Sequence, residues 1–179
     1  MRPLIGTSWK MNLTSAEADD WFRGVLPLVE SLDDRDLFVL PPFTSIWLAR
    51  ERLRTTPVRW GAQDVSPHDW GAYTGDISAP MLADLGCSFV EVGHSERRRD
   101  HGETPELIAA KAAAALRWGM RPVICIGEQA RGAKVLMGGR IGDTIEFYYL
   151  DTEPTLKFVL ESGSGHAIDL TPVRTYPPS

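Results

Sequence analysis

The chain has 179 residues, 43% apolar and 24% charged, with 16 glycines, 13 prolines and two cysteines. That balance excludes a disordered, collagen-like or disulfide-stapled chain and is enough for one globular fold with a real core. Nineteen Lys+Arg against 24 Asp+Glu leave a net charge of −5 with no long basic stripe, so the molecular field disfavours nucleic acid and anionic membranes and favours a small metabolite as partner. No apolar run approaches the ~20 residues that cross a bilayer. The opening Met1-Arg2-Pro3-Leu4 lacks the layout of a secretion signal, and a soluble cytoplasmic protein is expected. Cys87 and Cys125 lie in apolar surroundings without a Cys-x-x-Cys or Cys/His cluster, the pattern of packed reduced thiols.

From Leu4 to Glu128 one layout repeats: a short apolar run, a polar loop, then an amphipathic stretch. This is the alternation of an α/β fold with a parallel sheet. The predicted strands are residues 4–6, 37–40, 58–61, 88–92 and 122–126, compact and apolar as covered parallel strands are. Ser15 is expected to cap a helix running to about Leu32, with Ala18, Trp21, Phe22, Val25 and Val29 at helical spacing. Thr104-Pro105 opens a second helix through Leu116, and Gly119 ends it where a left-handed residue is cheapest. After Gly132 the texture changes. Residues 135–142 carry three glycines, and 144–150, 155–161 and 166–170 read as consecutive strands without intervening helices, an antiparallel β meander. The expected boundary therefore divides residues 1–132 from 133–179.

Two segments place polar groups directly after a strand, where ligands bind in parallel α/β folds: residues 6–12 and 93–98. In the first, Lys10 sits in an apolar context that suits a phosphate or a developing oxyanion, or is an ordinary surface lysine. In the second, His94 lies between a strand end and a helix start, where the helix dipole favours neutral imidazole; a structural histidine is the alternative.

Five collinear segments, Gly6 to Asn12, Gly61-Ala62-Gln63, Gly71 to Asp76, Gly93 to Arg98 and Cys125 to Glu128, resemble the triose-phosphate isomerase family over residues 4–132. The resemblance implies a partial (β/α) TIM barrel of about five βα units and a cofactor-free aldose–ketose isomerase that works through an enediol(ate). A carboxylate base paired with a neutral histidine is that family's own mechanism and is carried over by resemblance alone. In that reading His94 polarises the substrate carbonyl, and Lys10 supplies positive charge. Glu96 holds Lys10 or its backbone, Ser95 partners the resting catalytic carboxylate, and Ser8 and Lys10 line the phosphorylated sugar. Gln63 and residues 73–76, with Thr74 and Gly75, resemble the loop that inserts into a partner, implying a homodimer. A helix-cap serine, a surface glutamate and a solvated loop are the alternatives.

The chain departs from the family twice. Ser8 stands where the family has Asn, and the Thr7-Ser8-Trp9 version resembles a branch acting on erythrulose phosphates, so a tetrulose phosphate competes with a triose phosphate as substrate. A complete barrel needs about 250 residues, and nothing after Gly132 resembles the family's glutamate base, its lid or its last phosphate loops. A truncated remnant or fusion that binds without turning over is the alternative function. Five strands would also leave two open sheet edges. Residues 142–170 resemble the last strands of a glyoxalase-type vicinal-oxygen-chelate module, which places Glu161 as a metal ligand. Glu161 and His166 supply at most two ligands, so no metal site is assigned.

Overall fold

The computed structural model describes residues 4–29 and 32–125, and then the backbone of three strands between 134 and 162. The chain divides into two compact units, residues 1–93 with 97–124, and residues 94–96 with 125–179.

In the first unit strands and helices alternate: β1 (Leu4–Ser8), α1 (Ser15–Val29), β2 (Asp36–Leu40), α2 (Phe43–Leu53), β3 (Arg59–Ala62), α3 (Ala79–Asp84), β4 (Phe89–Val92), α4 (Ser95–Asp100), α5 (Pro105–Arg117) and β5 (Arg121–Ile124). The five strands form one parallel sheet in the order β1-β2-β3-β4-β5, with Ser8 opposite Leu40 and Glu91 opposite Val123. Sequential parallel order with a helix in each crossover is how a β/α barrel is wound. The five predicted strands are all present, within two residues at each end.

Local chemistry sets the helix ends. Thr14, not Ser15, caps α1. Its N–H and Oγ1 both donate to Glu17 Oε2 at 2.7 Å, and its Oγ1 accepts from the Glu17 N–H at 3.5 Å, a reciprocal capping box that moves the cap one residue upstream. Val29 is the last described residue of the helix, residues 30 and 31 lie outside the described residues, and Leu32 is not helical. At α5 the expectation holds: Thr104 Oγ1 accepts from the Leu107 N–H at 3.3 Å, and Gly119 ends the helix at φ +76. Helices α2 and α3 went unpredicted. The first begins after Pro41-Pro42 with no side-chain cap; the second is only six residues long, although Ser78 and Pro80 mark its start.

Alternation along the strands sorts residues onto two faces. Val39 faces outward into a cluster with Trp9, Ala18, Phe22, Ala49, Leu53 and Val58, while Val90 and Val92 pack with Leu82, Ile108, Ala112 and Ala115. On the other face the rings of Phe38 and Phe89 lie 4.8 Å apart. A Cβ added at Gly61 would come within 2.2 Å of the Phe89 carbonyl oxygen, so only glycine allows β3 and β4 this close. Cys87 and Cys125 are both buried, as expected. Burial pushes the Cys87 thiol up to about 12.

The second unit holds a three-stranded antiparallel sheet, β6 (Lys134–Ile141), β7 (Ile145–Asp151) and β8 (Leu160–Ser162), in that order. Met137 pairs with Tyr149 and Ile141 with Ile145, with an irregularity between Val135 and Met137. The meander is therefore present, with β6 running through the glycine-rich stretch that was not read as a strand. The expected strand 166–170 and the side chains of Glu161 and His166 lie outside the described residues. No described helix is long and apolar enough to cross a membrane.

Gly61→Ala is expected to destabilise the chain by on the order of 3 kcal/mol, because a methyl cannot be accommodated against backbone. Urea unfolding checks this, and an unchanged midpoint would contradict the packing described. Iodoacetamide should leave Cys87 unmodified in the folded chain and label it once urea exceeds the midpoint.

Candidate active site

The strand β1 ends in Ser8, and its backbone path continues through Trp9, whose N–H donates to the Leu40 carbonyl at 3.0 Å. Lys10 then adopts φ 58, a left-handed conformation that a non-glycine residue holds only when its surroundings enforce it. Two amides do so. Gln63 Nε2 donates to the Lys10 carbonyl at 3.0 Å, and Asn12 Nδ2 donates to the Trp9 carbonyl at 2.8 Å. Gln63, read from sequence as a dimer-loop residue, thus fixes the backbone of Lys10 within its own chain.

Ser8 Oγ donates to Glu91 Oε2 at 2.8 Å. β1 and β4 are separated by two strands, about 14 Å along a flat sheet, so this bond requires the sheet to curl and bring the two side chains together on its inner face. Glu91 is buried at 6% exposure, one layer nearer the strand's carboxyl end than Phe89. That end is where β/α barrels carry their sites.

His94 and Glu96 are described within the other unit. The Glu96 backbone N–H donates to His94 Nδ1 at 3.2 Å, while the Glu96 carboxylate Oε2 lies 3.5 Å from the same nitrogen. The two contacts make opposite demands, since an N–H donor needs a bare Nδ1 and a carboxylate needs a protonated one. The backbone donor is fixed in α4 and makes the shorter contact, an arrangement that in a neutral imidazole leaves the proton on Nε2. Ser95 opens α4 and is exposed. Thr74 and Gly75 are exposed in the loop between β3 and α3, where Gly75 takes φ +94. That loop has internal order: His68 and Tyr73 stack at 4.1 Å, the Ser66 N–H donates to Ile77 O at 2.8 Å, and the Asp76 N–H donates to Tyr73 O at 3.0 Å.

Beneath the loops of the first unit lies a buried cluster of four charges. Lys111 Nζ donates to Asp64 Oδ1 and Oδ2 at 2.7 and 2.9 Å and to Glu103 Oε1 at 2.5 Å. Arg97 adds bonds to Asp64 Oδ2 at 2.8 Å and Glu103 Oε1 at 2.6 Å. Two cations face two carboxylates, so the cluster is neutral as a whole. Burial pushes the Asp64 carboxyl up despite Lys111, whereas for Glu103 the bonds from Lys111 and Arg97 outweigh its burial and hold the carboxyl low. Neither the cluster nor Glu91 was singled out from sequence. The available signals were a lysine amid the alanines of α5 and a charge inside the apolar run of β4. No group of three or more possible metal ligands occurs among the described residues.

A sequential parallel β/α sheet with polar side chains and constrained loops following its strands defines the class of β/α-barrel proteins. The triosephosphate isomerase family model matches residues 3–137, more than half of the chain, and the chain belongs to that family. It is 49% identical over 127 residues to a triosephosphate isomerase of Coxiella burnetii and 50% identical over 127 residues to one of Thermus thermophilus, in each case 71% of this chain and 50% of the relative. A third, from Aquifex aeolicus, is 42% identical over 144 residues, 80% of this chain and 58% of the relative. The crystal structure of triosephosphate isomerase from Bartonella henselae superposes with a TM-score of 0.67 at 37% identity, covering 72% of this chain and 53% of that one. The chain thus spans about half the length of the relatives it matches.

Lys111→Met leaves two buried carboxylates facing only Arg97 and is expected to cost about 3–5 kcal/mol. Glu103 is held below its ordinary 4.5 in the folded chain, so its contribution is present above that pH and is lost as pH falls through the lowered value. In Lys111→Met the sign reverses, because uncompensated buried carboxylates make stability rise on acidification from pH 7 to 5. Chemical denaturation at pH 7, 5 and 4 checks both signs. A variant as stable as the parent at pH 7 would contradict this.

Proposed function

We propose that this chain carries the first part of an aldose–ketose isomerase site for a small phosphorylated sugar, acting through an enediol(ate). The observation that supports this most is the bond from the Glu96 N–H to His94 Nδ1. With Nδ1 accepting from the Glu96 N–H at 3.2 Å, the Nε2–H is a donor that can polarise a carbonyl and move a proton between the two oxygens of an enediolate without carrying full charge. Lys10, in its enforced conformation, supplies positive charge to the substrate, with Glu96 holding it or its backbone. Ser95 partners the catalytic carboxylate at rest, and Ser8 lines the sugar. A base must still take the carbon-bound proton, and no residue of 133–179 matches the family's base; activity abolished by His94→Gln would mean that an unrecognised acidic residue there or a partner chain supplies it.

Three finer readings belong with this one. The exposed loop containing Thr74 and Gly75, together with Gln63, forms the contact of a homodimer. Ser8 within Thr7-Ser8-Trp9 favours a tetrulose phosphate over a triose phosphate. Residues 133–179 form a separate glyoxalase-like module attached to a partial barrel of residues 1–132.

Because the match covers half of each relative, a second reading stands beside the first: a catalytically incomplete remnant or fusion that binds sugar phosphate and turns it over poorly. A coupled isomerase assay with triose and tetrulose phosphates separates the two, with His94→Gln as the control for contaminating enzyme. Activity that falls by about 10²-fold or more in His94→Gln is the expected result. Turnover equal in the two proteins would overturn the catalytic reading and leave the binding one.

A further inference from the structure

The end of α5 and the loop after β3 share a surface that the sugar-phosphate chemistry does not use. Trp70 in the loop is 68% exposed, and Trp118, at the C-terminal cap of α5, is 40% exposed; their rings cross edge to face at 6.4 Å and 85°. Beside them Arg117 Nη2 donates to Asp69 Oδ1 at 2.9 Å. Tyr73, three residues along the loop, is 45% exposed with its ring stacked on His68. A buried aromatic side chain removes about 150–250 Å² from water, so rings left this open in one place mark a surface that gains by being covered. The face is also set in advance. Each tryptophan holds the other, and Asp69 accepts from Arg117 and then from Trp118, so docking orders few side chains.

The charges decide what fits. One guanidinium and one carboxylate leave the rim neutral, so a polyanion, a basic peptide or an anionic membrane finds no field there to recognise. A face with one charge of each sign is instead complementary to its own copy, because a two-fold axis sets Arg117 against the partner's Asp69 and repeats the contact in reverse. An exposed ion pair contributes little within its own chain, so exchanging it for one across the axis costs little while the tryptophans leave water.

We propose that the face formed by Asp69, Trp70, Arg117 and Trp118 binds a second copy of this chain in a two-fold contact. This contact is separate from the one assigned to Thr74 and Gly75 and does not depend on the sugar-phosphate reading. A few aromatic side chains cover less than the roughly 800 Å² per partner of a standard interface, so the association is reversible, with a Kd on the order of micromolar.

The test is sedimentation velocity of the full chain over a range of concentrations, with each variant first checked by circular dichroism. The double variant Trp70→Ser/Trp118→Ser should weaken self-association by about tenfold or more, the loss expected for two aromatic anchors. Asp69→Arg and Arg117→Asp each place like charges across the axis, and each should weaken association on its own. An equimolar mixture of these two should associate again as mixed pairs, since one rim is then all guanidinium and the other all carboxylate. A role confined to one chain, fixing the loop to α5, gives no recovery on mixing. Association unchanged in the tryptophan variant, or a mixture no more associated than its components, would overturn the proposal. Thr74→Glu reports the loop-tip contact separately: association lost there but kept in the tryptophan variant would overturn this proposal and leave the loop-tip homodimer standing. A chain that stays monomeric at every concentration would overturn both and leave the face to a different partner.

Discussion

The first unit of this chain depends on one buried ammonium. Lys111 extends from the middle of α5, buried at 5% exposure, and is matched there by Asp64 from the loop after β3 and by Glu103 from the loop before α5. An unpaired charge at that depth would be untenable, so the two loops are held wherever their carboxylates must be. Arg97 completes the neutral set from within α4, the helix whose first residues are Ser95 and Glu96. The polar cluster is satisfied in nearly every atom; among the described residues of the cluster only Glu103 Oε2 lacks a hydrogen-bond partner. Chain segments that would otherwise be loose connections between β-strands and helices are thereby specified by electrostatics.

A second constraint is the inner face of the sheet. Gly6 and Gly61 have no room for a side chain, since a Cβ at Gly6 would come within 2.3 Å of the Phe38 ring, and Phe38 and Phe89 fill the layer they leave. Arg59 and Arg121 place their guanidinium groups over the Phe89 ring at 4.8 and 5.7 Å. Toward the carboxyl ends the character changes to the hydrogen-bonded pair of Ser8 and Glu91. The helix-facing side is apolar, with Val39, Val90 and Val92 turned outward. The same strands therefore supply apolar packing on one side and a polar pair on the other, the division that lets a β/α barrel vary its inner face without losing its core.

Much of this was legible in the sequence for a simple reason. Covered parallel strands are written as contiguous apolar runs, and the caps at Thr104 and Gly119 are local, so both survive without knowledge of the fold. Features that failed to show are those with weak local signals or distant partners. Nothing beside Lys111 announces Asp64, which is 47 residues away, and nothing in β1 announces that Ser8 will meet Glu91, 83 residues on. The cap of α1 was misplaced by one residue because Thr14 and Ser15 are both good caps and only the reciprocal bond to Glu17 decides between them. Motif spacing pointed to His94, Lys10 and Ser8, but the bond from the Glu96 N–H to His94, the backbone conformation of Lys10 and the bond from Ser8 to Glu91 are three-dimensional facts.

The proposed chemistry depends most on His94 Nδ1 accepting from the Glu96 N–H at 3.2 Å, which in a neutral imidazole leaves the proton on Nε2. Long-range nitrogen–proton correlation spectra of the imidazole, recorded on uniformly ¹⁵N-labelled chain at neutral pH, test it directly. The account predicts that His94 Nδ1 resonates as an unprotonated acceptor nitrogen and Nε2 as a protonated one. A pattern with the proton on Nδ1, or with both nitrogens protonated as in imidazolium, would contradict it.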